Sequence, residues 1–423
     1  MIEEQQDPNE DHSPNAQYEG SVVTVLNLSL VTFLILLGLS MVAPILPTYA
    51  ESFQVSYTLV GLVVSAFAVT RMILDIPAGL LSRRFDKKRI MIMGLILLST
   101  SSILAGIAPN YLTLVIARMI EGAGSALYVT TATVFLAQIS GEEKRGQWMS
   151  LYMGMLLLGA IFGPTFGGVL ADSYDIRAPF FGYAIITGLA ILPTLTLPKL
   201  ASSGDASSQL ELGGIIRDMR EVLSNRSFIL VSFAVFTMFF LRTGVRSTLI
   251  PLFAANNLEM ESTSIGLVLT IGGITTALTI TPMGSLSDRI GRKIPLALCL
   301  LLSAAITLVI PLSTSPLTLS IAVAIYGAVI GLQGPSAAYV TDVSPQDKLE
   351  ISMGLYRMIS DYGFVMGPLM LGFLADITAT PVPGASHSGL IGMFPFAVAA
   401  LILIVALFIL LRADDPARDR NQH

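Results

Sequence analysis

The chain is short of almost everything that soluble enzymes use. Only 13% of its 423 residues are charged, about half the ~25% of a soluble globular domain. One cysteine, Cys299, leaves no possibility of an internal disulfide. The three histidines, His12, His387 and His423, all fall in a tail or a predicted loop, where solvation explains them. No His-Glu-x-x-His, Gly-x-Ser-x-Gly or phosphate-loop Gly-Lys pattern occurs, which argues against metalloprotease, hydrolase and ATP-driven chemistry. Nothing implies a metal, a bound cofactor or a nucleic acid partner. The lone Trp148 stands where an apolar run begins, and its expected role is an interfacial anchor.

Apolar residues fill the space left by the missing charges, at 53% of the chain. Runs of roughly 20 apolar residues each suffice to cross ~30 Å of hydrocarbon. Twelve are expected, at about 22–47, 57–82, 89–108, 111–140, 146–172, 178–198, 227–254, 262–288, 293–313, 316–343, 349–376 and 389–412. Inside lipid the backbone must satisfy its own hydrogen bonds, so these spans are helices. The expected fold is an all-α membrane protein embedded in a lipid bilayer.

Lysine and arginine set its orientation. The loops after even-numbered spans, with the C-terminal tail, hold 18 of the 24, and the opposite loops hold one, Arg177. The positive-inside rule then places both termini in the cytoplasm, with the plasma (inner) membrane as the location. The first 20 residues carry six acids and no base, unlike a signal peptide. The expected organisation is a disordered acidic tail at 1–21, a six-helix bundle at 22–198, a cytoplasmic linker at 199–226, a second bundle at 227–412 and a tail at 413–423. Within the linker, Leu212, Ile215, Ile216, Met219, Val222 and Leu223 have amphipathic spacing. This suits a helix on the membrane face, or a plain connector.

The two bundles are near-copies. Leu151–Asp172 and Leu355–Asp376 align at an offset of 204 residues, with Gly159, Gly163, Pro164, Gly168 and Asp172 falling on Gly363, Gly367, Pro368, Gly372 and Asp376. Gly61-Leu62-Val63 matches Gly266-Leu267-Val268. Six helices plus six, related by duplication, is the usual build of a secondary transporter.

The motifs carry a family resemblance. Gly284, Asp288, Arg289, Gly291, Arg292 and Lys293 resemble the signature loop of the major facilitator superfamily, in its second-half position. The first-half copy keeps Gly79, Leu81 and Arg84 but has Arg83 and Asp86 where the family has Asp and Gly. In the family that Asp helps latch the second helix to the eleventh, so another latch is expected here. Arg118, Gly122 and Gly124 resemble the family's fourth-helix motif, whose Arg is tied to proton coupling, with Glu121 replacing the usual Gln. Gly159, Gly163, Pro164, Gly167 and Gly168 resemble the antiporter motif of bacterial drug–proton exchangers. Glycine and proline there also serve close helix packing. The resemblance implies a two-bundle transporter of small molecules that works as a monomer by alternating access.

Charges inside hydrocarbon cost ~2.5–3.5 kcal/mol each on insertion scales, so each is a functional candidate. Arg71/Asp75 on the second span and Arg357/Asp361 on the eleventh are both i,i+4 pairs. At 1.5 Å per residue, Asp75 and Arg357 lie roughly 10–12 Å deep, and Arg71 and Asp361 roughly 16–18 Å. Matching depths predict a crossed quartet, Asp75 with Arg357 and Arg71 with Asp361, that closes the cytoplasmic gate together with Gly79 and the loop from Gly284 to Arg292. Two self-neutralised local pairs are the plainer arrangement. Glu121 is the expected proton carrier, tuned by Arg118, and Asp361 is its rival. Arg242 and Arg246 have no acid within a turn. They either attract an anionic substrate group or pair with acids elsewhere, such as Glu121 or Glu51. Tyr128, Phe236, Phe239, Phe240 and Tyr326 are further candidates for the substrate cavity, although helix packing also explains them.

The expectation is therefore a proton-coupled antiporter for efflux of amphiphilic or organic small molecules, with no enzymatic activity. A proton-coupled importer or facilitator of a small, anionic solute is the alternative within transport. A sensor or scaffold on a transporter fold is the alternative outside it.

Overall fold

The computed structural model describes residues 22–140, 144–200, 212–380 and 389–415. Twelve helices dominate it, labelled α1 to α12 along the chain. The first six are α1 (Val22–Val42), α2 (Tyr57–Arg84), α3 (Lys87–Gly106), α4 (Tyr111–Ile139), α5 (Arg145–Ser173) and α6 (Ala178–Leu189, extended by Ile191–Leu195). The second six are α7 (Arg226–Leu258 in three segments), α8 (Ser262–Ile290), α9 (Lys293–Val309), α10 (Pro316–Gly331 and Ser336–Val343), α11 (Leu349–Thr378) and α12 (Phe394–Leu410). Eleven are long and apolar enough to cross a membrane; α12 has 17 residues. Among the described residues β-structure is limited to one bridge, Thr380 to Leu390.

Local chemistry sets the helix ends. Ser56, Asp86, Asn110, Asn225 and Ser315 each accept a hydrogen bond from a first-turn amide, which satisfies an N–H that lipid could not. The span expected at 22–47 ends early, at Val42, because Ala43–Ile45 form a turn around Pro44. The span at 316–343 is interrupted at Leu332–Pro335, where Gly334-Pro335 removes an amide donor. Helix α7 contains a π-helical stretch, Arg242–Leu249, which apolar periodicity did not foretell.

An even number of crossings puts both ends of the bundle on one face, the terminal face; the opposite one is the far face. Hydrogen bonds between the two halves gather toward the far face. The Asp376 carboxylate, at the far end of α11, accepts from the Tyr57 and Thr58 amides at 2.6 and 2.8 Å and from the Thr58 hydroxyl. Asp172, at the far end of α5, accepts from the Ser262 and Thr263 amides at 3.1 and 2.7 Å. Each half thus caps the N-terminus of a helix in the other, α2 and α8, where the helix dipole favours negative charge.

The backbones beside these caps nearly touch. A methyl on Gly61 would lie 2.2 Å from the Pro368 carbonyl, and one on Gly372 2.4 Å from that of Tyr57. Across the pseudo-symmetric crossing, Gly266 meets the Pro164 carbonyl at 2.2 Å and Gly168 the Ser262 carbonyl at 2.3 Å. Further in, Ser65 donates to Val365 O at 2.7 Å and Thr165 to the Thr270 hydroxyl at 2.8 Å. Toward the terminal face the seam loosens: a side chain on Gly284 would meet nothing within 4 Å, and one on Gly79 only Thr130 of its own half.

The linker helix, Leu212–Ser224, packs onto the second half rather than lying free. Val222 is buried, and Lys348 pairs with Glu221 and Asp218. The bond to Glu221 raises the Lys348 ammonium above its ordinary value. The side chains of Leu212, Ile215 and Ile216, the tail at 1–21 and residues 416–423 lie outside the described residues. Trp148 is buried at 9% exposure, so it is a core residue and not the expected interfacial anchor.

Asp376→Ala removes a charge-assisted cap worth about 1.5–3 kcal/mol, and so should shift the balance toward far-face opening by roughly tenfold or more. The check is maleimide labelling from that face of a Ser65→Cys reporter in a Cys299→Ser background, since Ser65 is fully buried beneath the cap. Unchanged labelling would show that the cap does not hold the face shut.

Candidate functional site

The candidate site lies where α1, α2, α4, α7 and α11 converge. A cavity there is lined by Ser40, Val64, Phe67 and Arg118 from the first half and by Thr243, Ser247 and Phe364 from the second. Its wall is mostly apolar, which suits an apolar body with one or two polar groups.

Arg118 and Glu121 on α4 form a buried ion pair, 6% and 3% exposed at the side chain. Arg118 Nη1 donates to Glu121 Oε2, and its guanidinium sits 5.0 Å from the centre of the Phe67 ring. Neither Glu121 Oε1 nor Arg118 Nε has a hydrogen-bond partner. The pair is held close to α2, because a methyl on Gly122 would lie 2.3 Å from the Phe67 carbonyl. The arrangement offers one carboxylate oxygen that a proton can occupy without displacing a protein donor.

On α2, Arg71 Nε lies 3.7 Å from Asp75 Oδ2, and Thr130 donates to Asp75 Oδ1 at 3.1 Å. This is the local pair, not the crossed one. No ion pair joins Asp75 to Arg357 or Arg71 to Asp361 in this conformation, among the described residues. Arg357 is exposed, while Asp361 is half-buried and within electrostatic reach of Arg71, Asp75 and Arg357. The physical reason is local: Asp75 is held within its own half by Arg71 and Thr130, and Arg357 is exposed.

The signature loop is a tightly bonded corner. Gly291 takes φ 92°, a left-handed conformation that favours glycine. Arg292 pairs with Asp288 at 2.5 Å and with Asp342 at 3.3 Å, and donates to the Ser287 hydroxyl at 2.7 Å. Asp415 accepts from the Arg292 and Lys293 amides, and Lys293 Nζ bonds the Leu411 and Ala413 carbonyls. Arg289 points outward and is exposed. The degenerate first copy keeps one of these bonds, Lys88 to the Leu195 carbonyl. The side chain of Arg83 lies outside the described residues.

The antiporter-motif glycines face two partners. A methyl on Gly159, Gly163 or Gly167 would meet the α1 backbone, at 2.5 Å from Phe33 O, 2.6 Å from Leu37 O and 1.9 Å from Met41 O, whereas Gly168 faces α8. Gly363 and Gly367 repeat this against α7, each 2.3 Å from a carbonyl, of Phe236 and Phe240. Where α11 has Leu371 in place of a third glycine, α7 supplies Gly244, whose methyl would lie 2.7 Å from Leu371 Cδ1.

Several expected cavity residues are corrected. Tyr128, Phe240 and Tyr326 are at most 2% exposed, so they pack inside the halves and do not form the cavity surface. Tyr128 shares a hydrogen bond with Thr32 at 3.3 Å, and Tyr326 donates to Leu241 O at 3.3 Å. Phe236 stacks against Phe233 and Tyr362. Arg242 is exposed and makes no side-chain hydrogen bond or ion pair among the described residues; Arg246 donates to Leu269 O at 3.3 Å. Glu121 is taken by Arg118, and both oxygens of Glu51 accept from Asn256 Nδ2, so neither acid pairs with the α7 arginines.

Sequence reasoning passed over the caps Asp172 and Asp376 as functional residues. Their signal was present, since both close the duplicated segment, but a repeat shows that two residues correspond and not what each touches.

The chain is similar to known transporters along most of its length. Over 387 residues, 90% of this chain and 96% of the relative, it is 26% identical to an uncharacterized MFS-type transporter of Methanocaldococcus jannaschii. It is 24% identical to Multidrug resistance protein 2 of Bacillus subtilis, across 89% of this chain and 91% of that one. A shorter match, 58% of this chain and 62% of the relative at 28% identity, is to the quinolone resistance protein NorA of Staphylococcus aureus. In structure the fold is shared with the nucleoside transporter NupG, at a TM-score of 0.75, 13% identity and coverage of 92% and 98%. It is also shared with a bacterial homolog of the human lysosomal transporter Spinster, at 0.74, 15% identity and coverage of 92% and 96%. The family profile of the Major Facilitator Superfamily matches residues 28–245 and 231–423, and with its duplicated bundles, signature loop and multi-pass build the chain belongs to that family of membrane transporters.

Proposed function

We propose that this transporter exports amphiphilic organic molecules in exchange for protons. With both termini taken as cytoplasmic, the far face, where the hydrogen bonds between the halves gather, is the outer one. The observation that carries the reading is the Arg118–Glu121 pair in the cavity region, buried and with Glu121 Oε1 unpartnered. A proton on that oxygen weakens the hold on Arg118 and changes the charge of the cavity wall. The apolar lining and the relatives named as multidrug resistance proteins support an amphiphilic substrate.

A second reading, uptake of an anion together with a proton, is favoured by one observation: Arg242 and Arg246 have no acidic partner among the described residues. The direction of proton movement separates the two. A stability screen of the purified protein against drugs, sugars and organic anions, with pH varied, selects the ligand. In proteoliposomes that ligand should then drive proton flux. Export by exchange requires the proton to move against the substrate; co-movement would replace the first reading by the second.

Glu121→Gln should lose ligand-driven proton flux to the level of empty liposomes while ligand-induced stabilisation persists. Undiminished flux in this variant would remove Glu121 from coupling and leave Asp361 as the rival carrier.

We further propose that closing the inner side brings Asp75 to Arg357 and Arg71 to Asp361. Asp75→Arg and Arg357→Asp should each impair transport, and the double swap should restore much of it. Failure of the double swap to restore either single defect would limit Arg71/Asp75 to the local pair.

A further inference from the structure

The π-helical stretch of α7 carries chemistry that proton exchange does not use. Its i→i+5 bonding gives more than four residues per turn, which sets Arg242 and Arg246 along one side and Thr243 and Ser247 beside them. The wide turn is closed by its own hydroxyls: Ser247 Oγ donates to Arg242 O at 3.4 Å and Thr248 Oγ1 to Thr243 O at 3.0 Å. Thr243 and Ser247 line the central cavity, and Arg242 and Arg246 are the residues that precede each of them in the chain.

Charge near this cavity does not balance. The spans hold Arg71, Arg118, Arg242, Arg246 and Arg357 against Asp75, Glu121 and Asp361. Arg71 is matched by Asp75 and Arg118 by Glu121, and Asp361 lies within reach of Arg357. Arg242 and Arg246 remain, within electrostatic reach of each other and of Tyr326. Arg242 keeps accessible surface mid-span and lies within electrostatic reach of Arg71 on α2 and Tyr326 on α10, which sets it on the side of α7 toward the first half. Arg246 spends one donor on the Leu269 carbonyl and keeps others. Two uncompensated guanidiniums beside an apolar pocket form half of a binding site.

We infer that Arg242 and Arg246 bind the acidic head of an amphiphilic organic anion, a carboxylate or an equivalent oxyanion, whose apolar body rests against Val64, Phe67 and Phe364. The guanidinium fork suits a carboxylate in a way that a lysine ammonium does not. The inference rests on the reading that this cavity carries substrate, but not on the direction of transport or on the proton.

The test uses the full chain in nanodiscs of neutral lipid and three probes with one body: 2-naphthoate, 2-naphthylmethanol and 2-naphthylmethylammonium. Naphthoate should bind about tenfold more tightly than the alcohol, the equivalent of ~1.4 kcal/mol. The ammonium should bind most weakly. The Arg242→Gln/Arg246→Gln double variant should lose the preference for naphthoate while keeping the affinity for the alcohol, which also shows that it is folded. Arg242→Lys/Arg246→Lys should keep a reduced preference. Equal binding of alcohol and carboxylate, preference for the ammonium, or a preference that survives in the Gln variant would each overturn the proposal. Displacement of naphthoate by phosphatidylglycerol in the nanodisc, at ordinary membrane fractions, would assign the site to a lipid headgroup and overturn the solute. Because binding is read without transport, its failure is separate from a failure of proton exchange.

Discussion

Two backbone crossings at the far face hold the structure together. At each, a glycine of one half lies against the carbonyl of a proline of the other: Gly61 on Pro368 and Gly266 on Pro164. One turn on, a carboxylate caps the helix that the glycine belongs to, Asp376 on α2 and Asp172 on α8. Each carboxylate bonds the first amides of a helix whose dipole favours negative charge there. The two helix starts that face the opposite half are satisfied by that half. The pairing explains why the duplicated segment keeps glycine, proline and a terminal aspartate together. Remove the glycines and the backbones part; remove the carboxylates and two helix N-termini lose their partners.

This frame is symmetric, and the chemistry set into it is not. The α5 glycines receive α1 as the α11 glycines receive α7, and even the exception is balanced, with Gly244 making room for Leu371. By contrast the buried pair Arg118–Glu121 and the π-helical turn with Arg242 and Arg246 stand in one half each. Equal crossings let two similar bodies rock about a shared seam. In the proposed exchange, unequal charges would let a proton or solute distinguish one orientation of those bodies from the other.

Much of the fold was legible in the residues. Apolar runs gave the twelve spans because a bilayer admits few solutions, and the repeat gave two bundles. Boundaries failed where proline acted locally, at Pro44 and Pro335. The π-helical stretch was not legible, because its wider turn is settled by Ser247 and Thr248 reaching back to carbonyls and by Leu371 pressing on Gly244. Of the site, Arg118 and Glu121 could be paired from i,i+3 spacing alone. The aromatic candidates failed because spacing on an apolar helix does not tell an inward ring from a cavity-facing one; Tyr128 and Tyr326 are buried within their own halves. The crossed quartet was predicted from depth alone, and matching depth does not tell a partner across the seam from the local one that Asp75 has in Arg71.

The α7 arginines constrain how a proton could be coupled. Protonating Glu121 removes a negative charge and leaves Arg118 without its counter-ion, so the cavity becomes more positive by one unit. If the substrate is an anion, proton and substrate then favour each other through local electrostatics, and linkage makes that preference mutual. Such a pair travels together unless the conformational equilibrium overrides it. Exchange of an anion for a proton therefore cannot rest on charge competition within the cavity. It needs the protonated Glu121–Arg118 pair to favour one facing of the bundles and the occupied Arg242–Arg246 pair to favour the other. The two charge sets stand on different halves of the molecule, α4 in the first and α7 in the second. A relative movement of the halves changes the distance between them, and in the proposed exchange that movement would decide the sign of coupling.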